Sequence, residues 1–382
     1  MSPNINISKH HKKIAIVAGE KSGDELGAPL MESIRRELPD VEFIGLGGES
    51  MKKKGLESFF DIKEIAVMGI IEPLFRLRKI LKLRKNFKQF LINNKPDLYI
   101  GIDSPDFNLP VAKYLKKQLD IKTIQYVSPS VWAWRKGRIK GMESSIDLVF
   151  ALFPFETEAY KNSSIKVSYI GHPLAYKFPI EKLESSLELK PQLEKNTKLI
   201  ALLPGSRNSE ISLMGNAMIK AATLIKEDLP NARFLMPLSS KQHRELLEGD
   251  GDEKLIEFSY GNSQEVLELA DLAIITSGTA TLEALLLSTP CVTVYKTNWL
   301  SFKIIKPLLK IAYFSLPNLL ANKNLLPELL QDDVTPENIH KSFMFLYESN
   351  QEEYIQEFKR IHLSLMAGGS ELAAKEIKEI LG

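Results

Sequence analysis

The sequence predicts an α/β protein built as two doubly wound units facing each other across a cleft, and three observations predict it. Short apolar runs alternate with helix-forming stretches from Lys13 to Ile170, and the alternation restarts at Leu199. A polar stretch from Glu181 to Thr197 separates the two series, shortly after the break Gly171-His172-Pro173. Several apolar runs end in turns rich in Gly, Ser, Asp or Pro, where open parallel sheets gather ligands. The reading divides the chain into a first domain over 1–175, a second over 176–350, and C-terminal helices over 351–382 that pack back on the first.

At 382 residues the chain has room for two full cores. Its 44% apolar and 26% charged content is that of a soluble globular protein. The single Cys291 excludes an intramolecular disulfide and fits a reducing compartment. No apolar run approaches the roughly 18 residues that span a bilayer. The basic Lys9, Lys12 and Lys13 precede an apolar run too short for a signal peptide, so the cytoplasm is the expected location. A net charge of +2 argues against nucleic acid as a partner.

The first strand is KIAIVA, Lys13 to Ala18, followed by the loop Gly19 to Asp24 and a helix to about Leu38. Ser22 and Gly23 stand where a ligand would meet the helix start. Ser22 and Glu25 also have capping-box spacing, and the loop is neither G-x-G-x-x-G nor a P-loop. EFIGLGG, Glu42 to Gly48, is the next strand-like run, with a helix after it. An apolar stretch from Ile65 to Phe75 includes Met68 and Ile71, and Leu77, Ile80, Leu81, Phe87, Phe90 and Leu91 then recur at roughly helical spacing. Arg76, Arg78, Lys79, Lys82, Arg84, Lys85 and Lys88 fall among them with no acidic residue. Two readings stay open: an interfacial helix on anionic lipid, or a core-packed helix with a solvated basic back.

The strand Leu98 to Ile102 ends in Asp103-Ser104-Pro105-Asp106. Asp97 lies at its other end, so Asp103, or else Asp106, is the carboxylate placed to reach a reacting group; an Asx-turn before Pro105 accounts for Asp103 equally well. Thr123 to Val127 leads into a segment with Trp132 and Trp134 beside Arg135 and Lys136. These rings suit a sugar, a headgroup layer or packing between domains. Runs near Asp147 to Leu152 and at Lys166 to Ile170 close the series, and His172 reads first as a bend and second as a ligand contact.

The second series opens with Leu199 to Leu203 and the turn Pro204-Gly205-Ser206-Arg207, whose guanidinium suits a diphosphate. Further strands fall around Arg233 to Pro237 and Leu255 to Phe258. Asp250-Gly251-Asp252 matches a metal-binding D-x-D but reads as a solvated turn. LAIITSGTATLE, Leu272 to Glu283, is a strand, a tight turn at Ser277, Gly278 and Thr279, and a helix from Ala280 to Leu287. The unpaired N–H groups of that helix start suit a phosphate, and Gly278 lets a ligand approach the backbone. Glu283, one turn in, suits a ribose diol. After Cys291 to Tyr295 and a second basic, apolar segment from Trp299 to Lys310, Asn318 and Asn322 would read sugar hydroxyls or cap a helix. The tail, Glu352 to Leu381, is helical with a break at Gly368-Gly369.

Taken together, GEKSGD (19–24), AVMGIIE (66–72), GIDSPDF (101–107), YVSPSVWAWR (126–135), GHP (171–173), LLPGSR (202–207), SGTATLE (277–283) and SLPNLLA (315–321) resemble lipid-A-disaccharide synthases in order and spacing, over nearly the whole chain. The resemblance implies a GT-B glycosyltransferase with an acceptor and lipid domain over 1–175 and a UDP-sugar domain over 176–350. It implies an inverting transfer from UDP-2,3-diacylglucosamine to 2,3-diacylglucosamine 1-phosphate, with a β(1→6) bond and UDP as products. Asp103 then corresponds to the general base, Arg207 and Ser277 to Ala280 to the pyrophosphate site, and Glu283 to the ribose contact. Ser22, Gly23, Asn318 and Asn322 join the substrate residues. Met68, Ile71, Phe75, Arg76, Arg78, Lys79, Trp132 and Trp134 form the lipid and membrane set, with peripheral attachment to the inner leaflet expected. No metal and no cofactor are expected, and a homodimer is left open. The competing readings are a UDP-N-acetylglucosamine 2-epimerase or polyprenyl-acceptor transferase of the same fold, and a catalytically silent protein that binds lipid and nucleotide.

Overall fold

The computed structural model describes residues 11–60, 73–129, 137–178, 180, 197–247, 252–299, 302–303 and 312–382, with the backbone alone at 73–80 and 252–253. The chain forms two compact units, one of residues 1–173 with 365–382 and the other of residues 174–364.

In the first unit the elements run β1 (Lys13–Ala18), α1 (Lys21–Glu37), β2 (Glu42–Leu46), α2 (Glu49–Lys53), β3 (Leu56–Ser58), α3 (Pro73–Asn94), β4 (Leu98–Ile102), α4 (Pro105–Leu119), β5 (Lys122–Tyr126), α5 (Arg138–Glu143), β6 (Leu148–Ala151) and β7 (Lys166–Tyr169). Among the described residues the strands form one parallel sheet in the order β3-β2-β1-β4-β5-β6-β7. Alternate residues of β1 enter opposite cores: Ile14, Ile16 and Ala18 pack with α1, and Ala15 and Val17 pack with Phe107, Val111 and Leu115 of α4. Both faces being covered explains why these strands read as unbroken apolar runs.

In the second unit α6 (Pro173–Lys177) leads to β8 (Leu199–Leu203), α7 (Asn208–Asp228), β9 (Arg233–Leu238), β10 (Ile256–Tyr260), α8 (Ser263–Leu269), β11 (Leu272–Thr276), α9 (Thr279–Leu286), β12 (Cys291–Tyr295), α10 (Leu316–Ala321), β13 (Glu328–Leu330), α11 (Pro336–Glu348) and α12 (Gln351–Ser364). Its parallel strand order is β10-β9-β8-β11-β12-β13. In each sheet the order reverses beside the first strand, between β1 and β4 and between β8 and β11. At that point the loops diverge and leave room for a ligand.

The tail divides. Helix α12 packs on α9 and α10 within the second unit, whereas α13 (Gly369–Leu381) lies on α1 through Ala373, Ala374 and Ile377. The sequence analysis groups both with the first domain. The edge strands β3 and β13 escape it altogether, since each has only three residues.

The basic helix also resolves in part. Phe87 and Leu91 of α3 are fully buried, and Phe87 packs against Phe107 at 6.1 Å between ring centres. That half of the helix is therefore core-packed with cations outside, and Phe87 is withdrawn from any lipid-facing set. No helix among the described residues is long and apolar enough to cross a membrane.

Candidate active site

Asp103 closes β4 at the first switch point, and its backbone is held in an unfavourable conformation. Asp103 and Ser104 have φ of 47° and 39°, and Val127, at the end of neighbouring β5, has φ of 76°. Left-handed geometry costs a non-glycine residue about 1–3 kcal/mol and persists where surroundings enforce it. Here the enforcement is visible. The Asp103 carbonyl accepts hydrogen bonds from Asn108 Nδ2 at 2.8 Å and Gln125 Nε2 at 3.0 Å. Tyr99 donates to Asn108 Oδ1 at 3.0 Å, and all three supporting side chains are fully buried. The Asp103 carboxylate is partly exposed and has no partner among the described residues. Asp106 is different: its carboxylate, 86% exposed, is paired with Arg138. Of the two candidate bases, Asp103 is the one whose carboxylate is uncommitted among the described residues.

The β1–α1 turn lies against Ser104, the residue after Asp103. A Cβ on Gly19 would come within 2.4 Å of Ser104 Oγ, so the close approach requires glycine. The expected capping box is absent, because α1 already starts at Lys21 and places Ser22 inside its first turn, exposed and without a capping bond. Gly23 is buried, and a Cβ there would touch Ala18 at 3.2 Å, so it serves helix–strand packing. Asp24 does the capping, but for α2: its carboxylate accepts from the backbone N–H groups of Gly48, Ser50 and Met51 at 2.8, 2.9 and 3.0 Å.

His172 lies at the unit boundary. Its backbone N–H donates to the Leu365 carbonyl at 2.9 Å, and its ring stacks on Phe153 at 5.1 Å. Burial pushes the imidazole down to about 4.

At the second switch point Arg207, Glu210 and Ser277 to Ala280 line one cavity of about 500 Å³, together with Ser239, Gly261 and Ser263. This brings the two predicted halves of a diphosphate site together. Gly278 and Thr279 are exposed, and a Cβ on Gly278 would meet nothing within 4 Å. The amide of Ser277 is already used, donating to Val294 O at 2.9 Å, and its hydroxyl donates to Phe314 O at 3.0 Å. The amides of Gly278, Thr279 and Ala280, which have no acceptor among the described residues, are the donors left for an anion.

Glu210 escapes the sequence analysis, although its place three residues beyond Arg207 is that of the reciprocal half of a capping box. One carboxylate oxygen accepts from the amides of Ser206 and Arg207 at 3.0 and 3.2 Å, and the other accepts from the Arg207 guanidinium at 2.6 Å. Gly205, with φ of 109°, makes room for it. Glu328 likewise fixes the loop touching Ser277, accepting from the amides of Phe314 and Ser315 at 3.2 and 2.9 Å. Nothing local in sequence links Glu328 to that loop.

Glu283 is half-buried one turn below the anion donors, outside the cavity lining. It accepts from Gln264 Nε2 at 2.6 Å, next to the lining residue Ser263. Of the two amides, Asn318 is corrected. Asn318 is fully buried, with Oδ1 accepting from Leu325 and Leu326 N–H at 3.1 and 2.8 Å and Nδ2 donating to Leu326 O at 2.8 Å, so it closes a loop instead of facing a sugar. Asn322 terminates α10 with φ of 52°, a C-cap position that Asn tolerates, and its side chain is exposed.

Met68, Ile71, Trp132 and Trp134 lie outside the described residues, as do Asp250 and Gly251 of the D-x-D sequence. Phe75, Arg76, Arg78 and Lys79 lie on the α3 backbone with their side chains outside the description. Among the described residues no group of three or more His, Cys, Asp or Glu side chains is placed to hold a metal ion.

A family model described as lipid-A-disaccharide synthetase matches residues 14–379. The lipid-A-disaccharide synthase of Idiomarina loihiensis is 44% identical over 373 residues, covering 97% of this chain and 98% of that protein. That of Pseudomonas savastanoi pv. phaseolicola is 42% identical, covering 97% of each. Among solved structures, the calicheamicin glycosyltransferase CalG4 aligns over 98% of this chain and 99% of its own with a TM-score of 0.63 at 15% identity. The UDP-GlcNAc 2-epimerase of Neisseria meningitidis aligns over 97% and 99% with a TM-score of 0.60 at 14% identity. At such identities the structural likenesses speak for the fold alone.

Proposed function

This chain belongs to the lipid-A-disaccharide synthase family, and from that premise we propose that it transfers 2,3-diacylglucosamine from its UDP derivative to the 6-hydroxyl of 2,3-diacylglucosamine 1-phosphate. The anomeric centre inverts in a single displacement and UDP leaves. The observation that carries the chemistry is the cavity lined by both Arg207 and the amide-bearing turn Ser277 to Ala280.

Negative charge grows on the departing diphosphate. Fixed donors at Gly278, Thr279 and Ala280, the α9 dipole and the Arg207 cation stabilise it more in the transition state than in the ground state. These groups do the work of a divalent cation. Glu283 accepts from the uridine ribose by exchanging its Gln264 partner, and Asp103, with a carboxylate free of partners among the described residues, takes the proton of the attacking hydroxyl. The apolar and basic segment from Met68 to Phe90, less the buried Phe87, holds acyl chains and rests on the anionic inner leaflet, each buried CH₂ contributing about 0.8 kcal/mol.

The test is UDP release measured with acylated and unacylated sugars side by side. Release only with the acylated pair supports the proposal. Turnover of unacylated UDP-N-acetylglucosamine points to the epimerase or polyprenyl-transferase reading, and UDP binding without release points to a silent protein.

A further inference from the structure

A second cavity, of about 490 Å³, opens between α3 and α4 in the first unit, lined by Leu81, Arg84, Lys85, Lys88 and Tyr114 with the amides of Asn86 and Gln89. Its charge is one-sided. Arg84, Lys85 and Lys88 form no ion pair among the described residues, whereas cations such as Lys116, Arg138 and Arg233 sit on carboxylates. Lys88 lies over the Tyr114 ring at 4.8 Å, and burial followed by the Arg84 charge holds its ammonium below the usual range. Like charges brought together beside a partly buried ammonium favour an anionic ligand. Arg84 also donates to the Asp106 carbonyl at 3.3 Å. Asp106 lies in the first turn of α4, three residues after Asp103, so that guanidinium is anchored near the start of the helix that follows the proposed base.

We propose that this cavity is the phosphomonoester subsite of the acceptor: Arg84 and Lys88 hold the 1-phosphate while the far end of the same sugar presents its 6-hydroxyl to Asp103. A cavity of this volume takes a discrete ligand, whereas a planar leaflet would be met by an open face. The exposed Leu81 beside the cations gives the wall an apolar component suited to a lipid-bearing ligand. Lys85 and Gln89 add donors on the same helix. The inference rests on the function proposed above and adds to it the groups that distinguish a phosphorylated acceptor from a phosphate-free one.

The experiment compares wild type, Arg84→Gln and Lys88→Gln, each checked for an unchanged melting temperature. It measures kcat/KM for 2,3-diacylglucosamine with and without the 1-phosphate, equilibrium binding of the labelled phosphorylated acceptor, and sedimentation with vesicles containing anionic phospholipid. Charge-assisted contacts of this kind predict that each substitution lowers the preference for the phosphorylated acceptor about tenfold or more, while vesicle binding, shared among all the cations of the segment, falls less. A preference unaltered in both variants overturns the subsite, as does a loss that tracks vesicle binding and falls equally on both acceptors. A wild-type protein that releases no UDP yet binds the phosphorylated acceptor through Arg84 and Lys88 refutes the catalytic reading while upholding the subsite.

Discussion

Replacing Arg207 with alanine should separate catalysis from folding. Its side chain is 78% exposed, and its described contact is the 2.6 Å pair with Glu210. A pair three residues apart on a helix start whose cation is this exposed contributes about 1 kcal/mol, and Glu210 keeps its two amide donors without it, so the melting temperature should shift by only a few degrees. During transfer the same guanidinium faces the charge developing on the leaving diphosphate. A single donor of that kind is typically worth about 3 to 4 kcal/mol, so kcat should fall roughly a hundredfold or more. Arg207→Lys keeps the charge but loses the planar fork, and should fall between wild type and alanine. The assay is steady-state UDP release alongside thermal unfolding of each variant. Equal losses in stability and activity, or an alanine variant with near-normal kcat, would refute the reasoning.

Asp103→Ala should lower turnover by about 10² to 10⁴ while leaving the affinity for UDP nearly unchanged, as measured by titration calorimetry; near-normal turnover would move the base role to solvent. Asn108→Ala removes the partner of the buried Tyr99 hydroxyl and one of two bonds to the Asp103 carbonyl, and should cost on the order of 2 to 4 kcal/mol in urea unfolding. His172 binds a proton near pH 6.5 when unfolded but only near 4 when folded. Its contribution is therefore fully present above about pH 6.5 and is lost as pH falls toward 4. His172→Phe should flatten the fall in stability across that window, an effect of up to roughly 3 kcal/mol. UDP release should persist in EDTA; abolition by EDTA and restoration by magnesium would contradict the metal-free mechanism.

How far the sequence reads depends on whether a feature is local. The buried strands at 13–18, 98–102, 199–203 and 272–276 are unbroken apolar runs between turn residues, and they fall where the sequence places them. Arg207 and Ser277 to Ala280 are legible because a turn ending a parallel strand is a local pattern, although only the strand order shows that the two turns share a cavity. Asn318 misleads for the opposite reason: two amides outside an apolar run look available, and nothing local says that Leu325 and Leu326 return to consume one of them. Glu210 was within reach, because its spacing from Arg207 is a capping signal that the guanidinium overshadowed. The Asp103 clamp depends on Gln125, a residue 22 positions away on the adjacent strand, and no spacing rule joins them.

The most direct test is a crystal structure of the protein with UDP. The account predicts the β-phosphate within hydrogen-bond distance of the amides of Gly278, Thr279 and Ala280, with the Arg207 guanidinium released from Glu210 and turned toward it. A diphosphate bound elsewhere, or an Arg207 still closed on Glu210 with UDP in place, would contradict it.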